Sequence, residues 1–120
     1  MANVGAYLSN FSTATPTFLH GTLMAGNYTV PNDYVNVKAV FTNTAPVDAY
    51  RGAGRPEATY SLERVIDKAA LELGIDPIEI RRKNFVKPDQ YPFASAAGLE
   101  FDSGNYDGCM DRLEAMMDRD

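Results

Sequence analysis

Apolar positions along the chain alternate in some stretches and recur every three or four residues in others. The clearest alternation runs from Tyr34 to Thr42. Val35, Val37, Ala39 and Phe41 share one face, and Asn36, Lys38, Val40 and Thr42 share the other. Strand side chains alternate between faces, and β-branched residues suit a half-buried pleated surface, so this run predicts a strand. Val4, Ala6 and Leu8, set against Gly5, Tyr7 and Ser9, predict a shorter strand near the start. Between these two, Asn10 to Thr17 reads as a loop. Phe18 to Gly26 reads as either a short helix or a buried irregular segment, and Asn27 to Asp33 as a turn entering the longer strand.

The helical period begins at Pro56. Ala58, Leu62, Val65, Ile66, Ala69 and Leu73 form one apolar stripe and predict a long helix over Pro56–Leu73. Proline in the first turn and Gly74 just past the end are the expected boundary residues. Asp76-Pro77-Ile78-Glu79 then restarts a helix. Asp76 caps it, Glu79 reaches back as in a capping box, and Ile75 and Ile80 have staple spacing. Arg81, Arg82 and Lys83 read as a solvated helix end favourable to the dipole. Val86 to Gly98 reads as a loop, and Leu99-Glu100-Phe101 as a short extended piece. A last helix is capped by Asp102, striped by Tyr106, Met110, Leu113 and Met117, and runs to the terminus. The pattern predicts an α+β fold: a small mixed sheet of two to three strands, packed by one long helix, a short capped helix and a C-terminal helix.

With 120 residues the chain reads as a single domain, 1–120. At 45% hydrophobic and 22% charged, its composition is globular. A net charge of −5 argues against nucleic acid as a partner, which would require a basic face. No run approaches the length of a membrane span, and no secretory leader is visible, so the expected compartment is the cytoplasm. One cysteine, Cys109, excludes an internal disulfide and reads as a small buried hydrophobe. One histidine, His20, makes a histidine-based metal centre or a Ser-His-Asp triad unexpected and reads as a core residue. Tyr7, Tyr28, Tyr34, Tyr60 and Tyr106 read as core or rim aromatics. The sequence offers no self-sufficient catalytic constellation and no metal-ligand set.

The candidate chemistry lies in Ala49-Tyr50-Arg51-Gly52-Ala53-Gly54-Arg55-Pro56-Glu57, between the predicted strand and the long helix. Glycines let a ligand approach the backbone, and the helix start adds partial positive charge, so Arg51 and Arg55 suggest an anion or phosphate site. The same residues also fit a tight turn whose arginines pair with acids such as Asp48 and Glu57.

Four blocks in order carry a resemblance. Thr42 to Ala58 resembles the cofactor loop of the xanthine dehydrogenase/aldehyde oxidase family, and within it the molybdopterin-binding large subunit of aerobic carbon monoxide dehydrogenase-like enzymes. Asn3 to Tyr7 resembles the strand before that loop. Leu73 to Pro77, with Arg81 to Phe85, resembles the helix pair after it. Gly98 to Tyr106 resembles a short-strand-to-helix element of the family. The resemblance implies a molybdenum hydroxylase: a molybdenum ion on a pterin dithiolene, a glutamate as general base, and electron exit through iron–sulfur clusters to flavin in other domains or subunits. It implies cofactor-binding roles for Arg51, which lies against the molybdenum ligands, and for Gly52, which permits the close approach. It places Ala53 toward the substrate. Purine-oxidising relatives carry phenylalanine at the Ala53 position, and carbon monoxide-oxidising members carry a copper-holding cysteine at the Gly52 position. Alanine and glycine supply neither, which leaves an aldehyde or heteroaromatic hydroxylase.

The family subunit is several times longer, and its general-base glutamate lies beyond the matched region. None of Glu57, Glu63, Glu72, Glu79, Glu100 or Glu114 falls in a matching motif. The expectation is a fragment contributing one loop of the site, without catalysis or bound cofactor by itself. Its partners would be the remaining large-subunit segments and the flavin and iron–sulfur subunits. The alternative is a standalone, dimeric, non-catalytic interaction module.

Overall fold

The computed structural model describes residues 3–117. It is an α+β arrangement whose α-helices and strands all lie from residue 55 onward. Helix α1 spans Arg55–Leu73, α2 Pro77–Asn84 and α3 Tyr106–Met116. The sheet is a two-stranded antiparallel pair, β1 Phe93–Ala94 and β2 Glu100–Phe101, with Phe93 opposite Phe101. One π-helical turn at Thr15–Leu19 and a short 3-10 turn at Pro88–Gln90 complete the regular structure.

The helix boundaries follow from the sequence. Gly74 ends α1 in the left-handed conformation at φ 65° and ψ 32°, which glycine adopts without a Cβ clash. Asp76 caps α2, its carboxylate accepting from the amides of Ile78 (2.8 Å) and Glu79 (3.1 Å). The Glu79 carboxylate pairs with Lys83 at 2.7 Å. The cap of α3 is not Asp102. Asn105 takes the position, its side-chain oxygen accepting from the Gly108 amide at 2.9 Å. Asp102 instead accepts from the Ser103 hydroxyl. Helix α3 stops at Met116, because Met117 is extended (φ −97°, ψ 127°), rather than continuing to the terminus.

The two expected strands do not form. Among the described residues, 4–9 and 34–42 carry no ladder, and their strand-like contacts are Thr42 N–H to the Gly5 carbonyl, Ala6 N–H to the Thr44 carbonyl and Val47 N–H to the Val4 carbonyl. A strand requires a hydrogen-bonded neighbour, and among the described residues none pairs with the backbone of residues 34–41. The sheet forms instead inside the expected 86–98 loop, where β1 meets the extended piece at Glu100–Phe101.

The core is small and lies under α1 and α2. Tyr28, Phe85, Val86, Ala25, Ala58 and Ala70 are its buried apolar residues. Tyr28 stacks on Phe85 with ring centroids 5.5 Å apart, and Phe85 meets Tyr106 at 5.8 Å, joining the N-terminal half to both α2 and α3. Residues 28 and 85 also form a single antiparallel bridge. Tyr7, Tyr34 and Tyr60 are exposed, so of the five tyrosines only Tyr28 is fully core. Cys109 is exposed and is not the buried hydrophobe its neighbours suggested. The radius of gyration is 16.8 Å, against about 14 Å for a compact domain of this length.

The basic run at the end of α2 is a structural clamp, not a solvated end. Arg81 reaches across to α1, bonding Glu63 and Asp67 at 2.8 Å each, while Glu63 also accepts from the Tyr28 hydroxyl at 2.8 Å. Desolvation opposes the Arg81 charge, but the hydrogen bonds to Asp67 and Glu63 outweigh it and raise the guanidinium above its usual value. Arg82 turns the other way, to Asp111 at 2.6 Å and Glu114 at 2.5 Å on α3. Lys87 adds Asp107 at 2.7 Å.

Replacing Arg81 with Met should lower the unfolding free energy by about 1–2 kcal/mol, since the carboxylates left behind still reach water. Arg82→Ala should lower it by less than Arg81→Met does, because its contacts lie more open to water. Urea unfolding followed by far-ultraviolet circular dichroism checks the order, and equal effects would refute the clamp. Burial first, and the Glu63 hydrogen bond second, raise the Tyr28 phenol, so folding favours its neutral form. That stability is present at neutral pH and should be lost as pH rises above about 10. Urea midpoints across that pH should fall, and Tyr28→Phe should flatten part of the fall.

Candidate functional site

The strand-to-helix stretch folds as a tight double turn leading into α1. The Ala53 amide donates to the Tyr50 carbonyl at 3.1 Å, and the Arg55 amide to Gly52 at 3.0 Å. Gly52 and Gly54 both hold positive φ, 95° and 93°, where a side chain is strained. Their surroundings differ. A Cβ on Gly52 would meet nothing within 4 Å, whereas one on Gly54 would lie 2.6 Å from Leu19 Cβ and 2.9 Å from the Leu19 carbonyl carbon. The turn is therefore closed on its Gly54 side and open on its Gly52 side.

Glu57 fixes the turn. Its carboxylate accepts from the Gly54 amide at 2.8 Å, one helical turn back from the third position of α1. Glu57 thus holds the backbone of the loop, and it is not a partner for the loop arginines. Capping-box spacing, four residues from Gly54 to Glu57, was the available signal for this role. Leu19 and His20, which back the turn, carried no sequence signal, because they reach it only through the fold.

The paired-arginine reading of the turn does not hold. Among the described residues, Arg51 and Arg55 make no ion pair, and Asp48 accepts instead from the Ala49 amide at 2.8 Å. Nor do the amides of Tyr50, Arg51 and Gly52 donate to any described acceptor. Tyr50 and Arg51 are exposed, and Gly52 and Ala53 half-buried. Arg51, Gly52 and Ala53 are therefore consecutive on the open side of the turn, where the amides of Arg51 and Gly52 are bare and the Arg51 cation is unpaired. Such a surface accepts anionic or strongly polar groups. Among the described residues, no cluster of three or more His, Cys, Asp or Glu side chains could hold a metal ion directly.

Residues 1–85 match the family described as molybdopterin cofactor-binding domain. The chain belongs to that family. Its sequence is 43% identical over 86 residues to the carbon monoxide dehydrogenase large chain of Hydrogenophaga pseudoflava, covering 70% of this chain and 11% of that one. The fold superimposes on carbon monoxide dehydrogenase from Oligotropha carboxidovorans with a TM-score of 0.83 and 34% identity, covering 96% of this chain and 15% of that one. Quinoline 2-oxidoreductase from Pseudomonas putida 86 superimposes with a TM-score of 0.81 and 32% identity, over the same shares. The chain thus spans 11–15% of the length of these relatives. No helix of the described residues is long and apolar enough to cross a membrane.

The two glycines should separate by substitution. Gly52→Ala should cost about 1–2 kcal/mol from backbone strain alone. Gly54→Ala should cost about 3 kcal/mol or more, because strain adds to overlap with Leu19. Urea unfolding of the two variants checks this, and equal losses would refute the closed-and-open geometry.

Proposed function

We propose that this chain is one wall of the molybdenum–molybdopterin site of a molybdenum hydroxylase large subunit, and that it performs no chemistry alone. The observation that carries the reading is the bare backbone at Tyr50–Gly52, beside unpaired Arg51 and Arg55, in a chain of the cofactor-binding family. Arg51 and Gly52 are the cofactor-binding residues. The Gly52 backbone admits a bulky group because no side chain stands there and nothing occupies the space around it. Arg51 adds a fixed positive charge to the same edge, suited to the anionic parts of a pterin cofactor. Ala53 faces the substrate, and its small side chain leaves room for an aromatic ring without stacking on it. When bound, the cofactor supplies the metal-centred two-electron oxidation; this chain supplies shape, backbone donors and charge.

Two observations support inactivity in isolation. The glutamates nearest the loop in sequence are committed: Glu57 to the Gly54 amide, and Glu63 to Arg81 and Tyr28. The chain also corresponds to only 15% of a solved large chain. The substrate class is an aldehyde or heteroaromatic compound, in keeping with the quinoline-oxidising relative. The partners are the remaining large-subunit segments, with flavin and iron–sulfur subunits for electron exit, in the cytoplasm. Residues 1–120 act as one domain-sized piece of that assembly. The exposed apolar surface favours a second reading, a dimeric interaction module without cofactor.

The test is a graft of this segment into the Hydrogenophaga pseudoflava large chain in place of its match, expressed where the cofactor is made. Arg51→Ala and Gly52→Val should lower molybdenum content, and Arg64→Ala, on the exposed face of α1, should not. Equal molybdenum in all variants would overturn the site assignment. The free 120-residue chain should carry no stoichiometric molybdenum by elemental analysis. Stoichiometric metal there would overturn the claim of inactivity.

A further inference from the structure

The sequence's strongest strand pattern occupies a segment that is not a strand. Every residue from Pro31 to Phe41 is exposed. Among the described residues, no backbone amide or carbonyl of 31–41 makes a hydrogen bond. Tyr34 is 86% exposed, Val40 75% and Phe41 70%. Backbone groups of β-forming sequence left unpaired, with apolar side chains in water, describe a sheet edge awaiting its neighbour.

Three features say what covers it. First, the segment is continuous with pairing that already exists, since Thr42 donates to Gly5 and Ala6 to Thr44 at its C-terminal end. Second, a shallow groove of about 320 Å³ runs beside it, lined by Phe18, Gly21, Val35, Val37 and Ala97 among others, giving alternate side chains of an added strand somewhere to sit. Third, the chain already has the shape of its counterpart inside a far larger subunit, at a TM-score of 0.83, where 85% of the polypeptide lies outside the matched part (100 − 15). A second copy has no comparable support in the molecule.

We infer that residues 34–41 are a docking strand that pairs, by β-strand addition, with an extended segment from the remainder of a molybdenum-enzyme large chain. The inference rests on the proposed large-subunit reading and deepens it, by naming the surface through which the piece joins the whole. Main-chain hydrogen bonds supply the affinity, and Val35, Val37, Val40 and Phe41 supply the apolar burial.

Amide hydrogen exchange tests it in two arms. In the free 120-residue chain, amides 34–41 should exchange at unprotected rates at every protein concentration, with a monomer's sedimentation. In the grafted large chain the same amides should slow on the order of 100-fold or more. Val37→Pro and Lys38→Pro remove amides on opposite edges, so one should block assembly of the graft more than the other, whereas Val37→Thr should assemble. Unprotected 34–41 amides in a folded graft would overturn the inference. So would a free chain whose protection grows with concentration alongside a dimer mass, because a second copy would then be the occupant. Protection in a monomeric free chain would overturn it as well, and needs no graft. A graft that protects 34–41 yet holds no molybdenum supports the docking strand while sinking the cofactor site.

Discussion

Arg81 holds this structure together. It stands at the end of α2, reaches two carboxylates on α1 and, through Glu63, touches the hydroxyl of Tyr28 from the N-terminal half. Tyr28 stacks on Phe85, the residue that closes α2. A single guanidinium therefore ties together the three parts that surround the small core. Its bonds matter because they are partly desolvated, with only 13% of the Arg81 side chain exposed. In such a setting an ion pair is costly to break from one side, since the surviving charges lose their partner. Arg82 extends the clamp to α3 through a wetter set of contacts.

The clamp positions the site indirectly. Helix α1 is fixed against α2, so its N-terminus has a defined place. Glu57 then fixes the loop to that N-terminus through the Gly54 amide, and Gly54 lets the turn press on Leu19. What remains, Arg51 and Gly52, lies on the open side with its amides unspent. The turn is thus divided: it packs on one side and leaves open donors on the other.

The exposed surface is the complement of the small core. Leu71 on α1 is 83% exposed, and the 34–41 segment has no neighbour. A chain this open leaves much apolar side-chain area in water. The exposed residues are those that a larger chain would cover.

The sequence by itself determined the helices, their caps at Gly74 and Asp76, and the family to which the chain belongs. These depend on residues close in the chain: periodicity, a glycine with no Cβ, a carboxylate two residues from the amides it caps. Its pattern put the last cap at Asp102, three residues ahead of Asn105, which takes it, a difference that periodicity does not resolve. Only the tertiary structure decided that Arg81 and Arg82 are clamps, because their partners lie 14 to 32 residues away. It alone decided that Tyr34 to Thr42 has strand character without a strand. A strand is completed by a neighbour across a gap in sequence, and an alternating pattern specifies faces but not the chain that pairs with them.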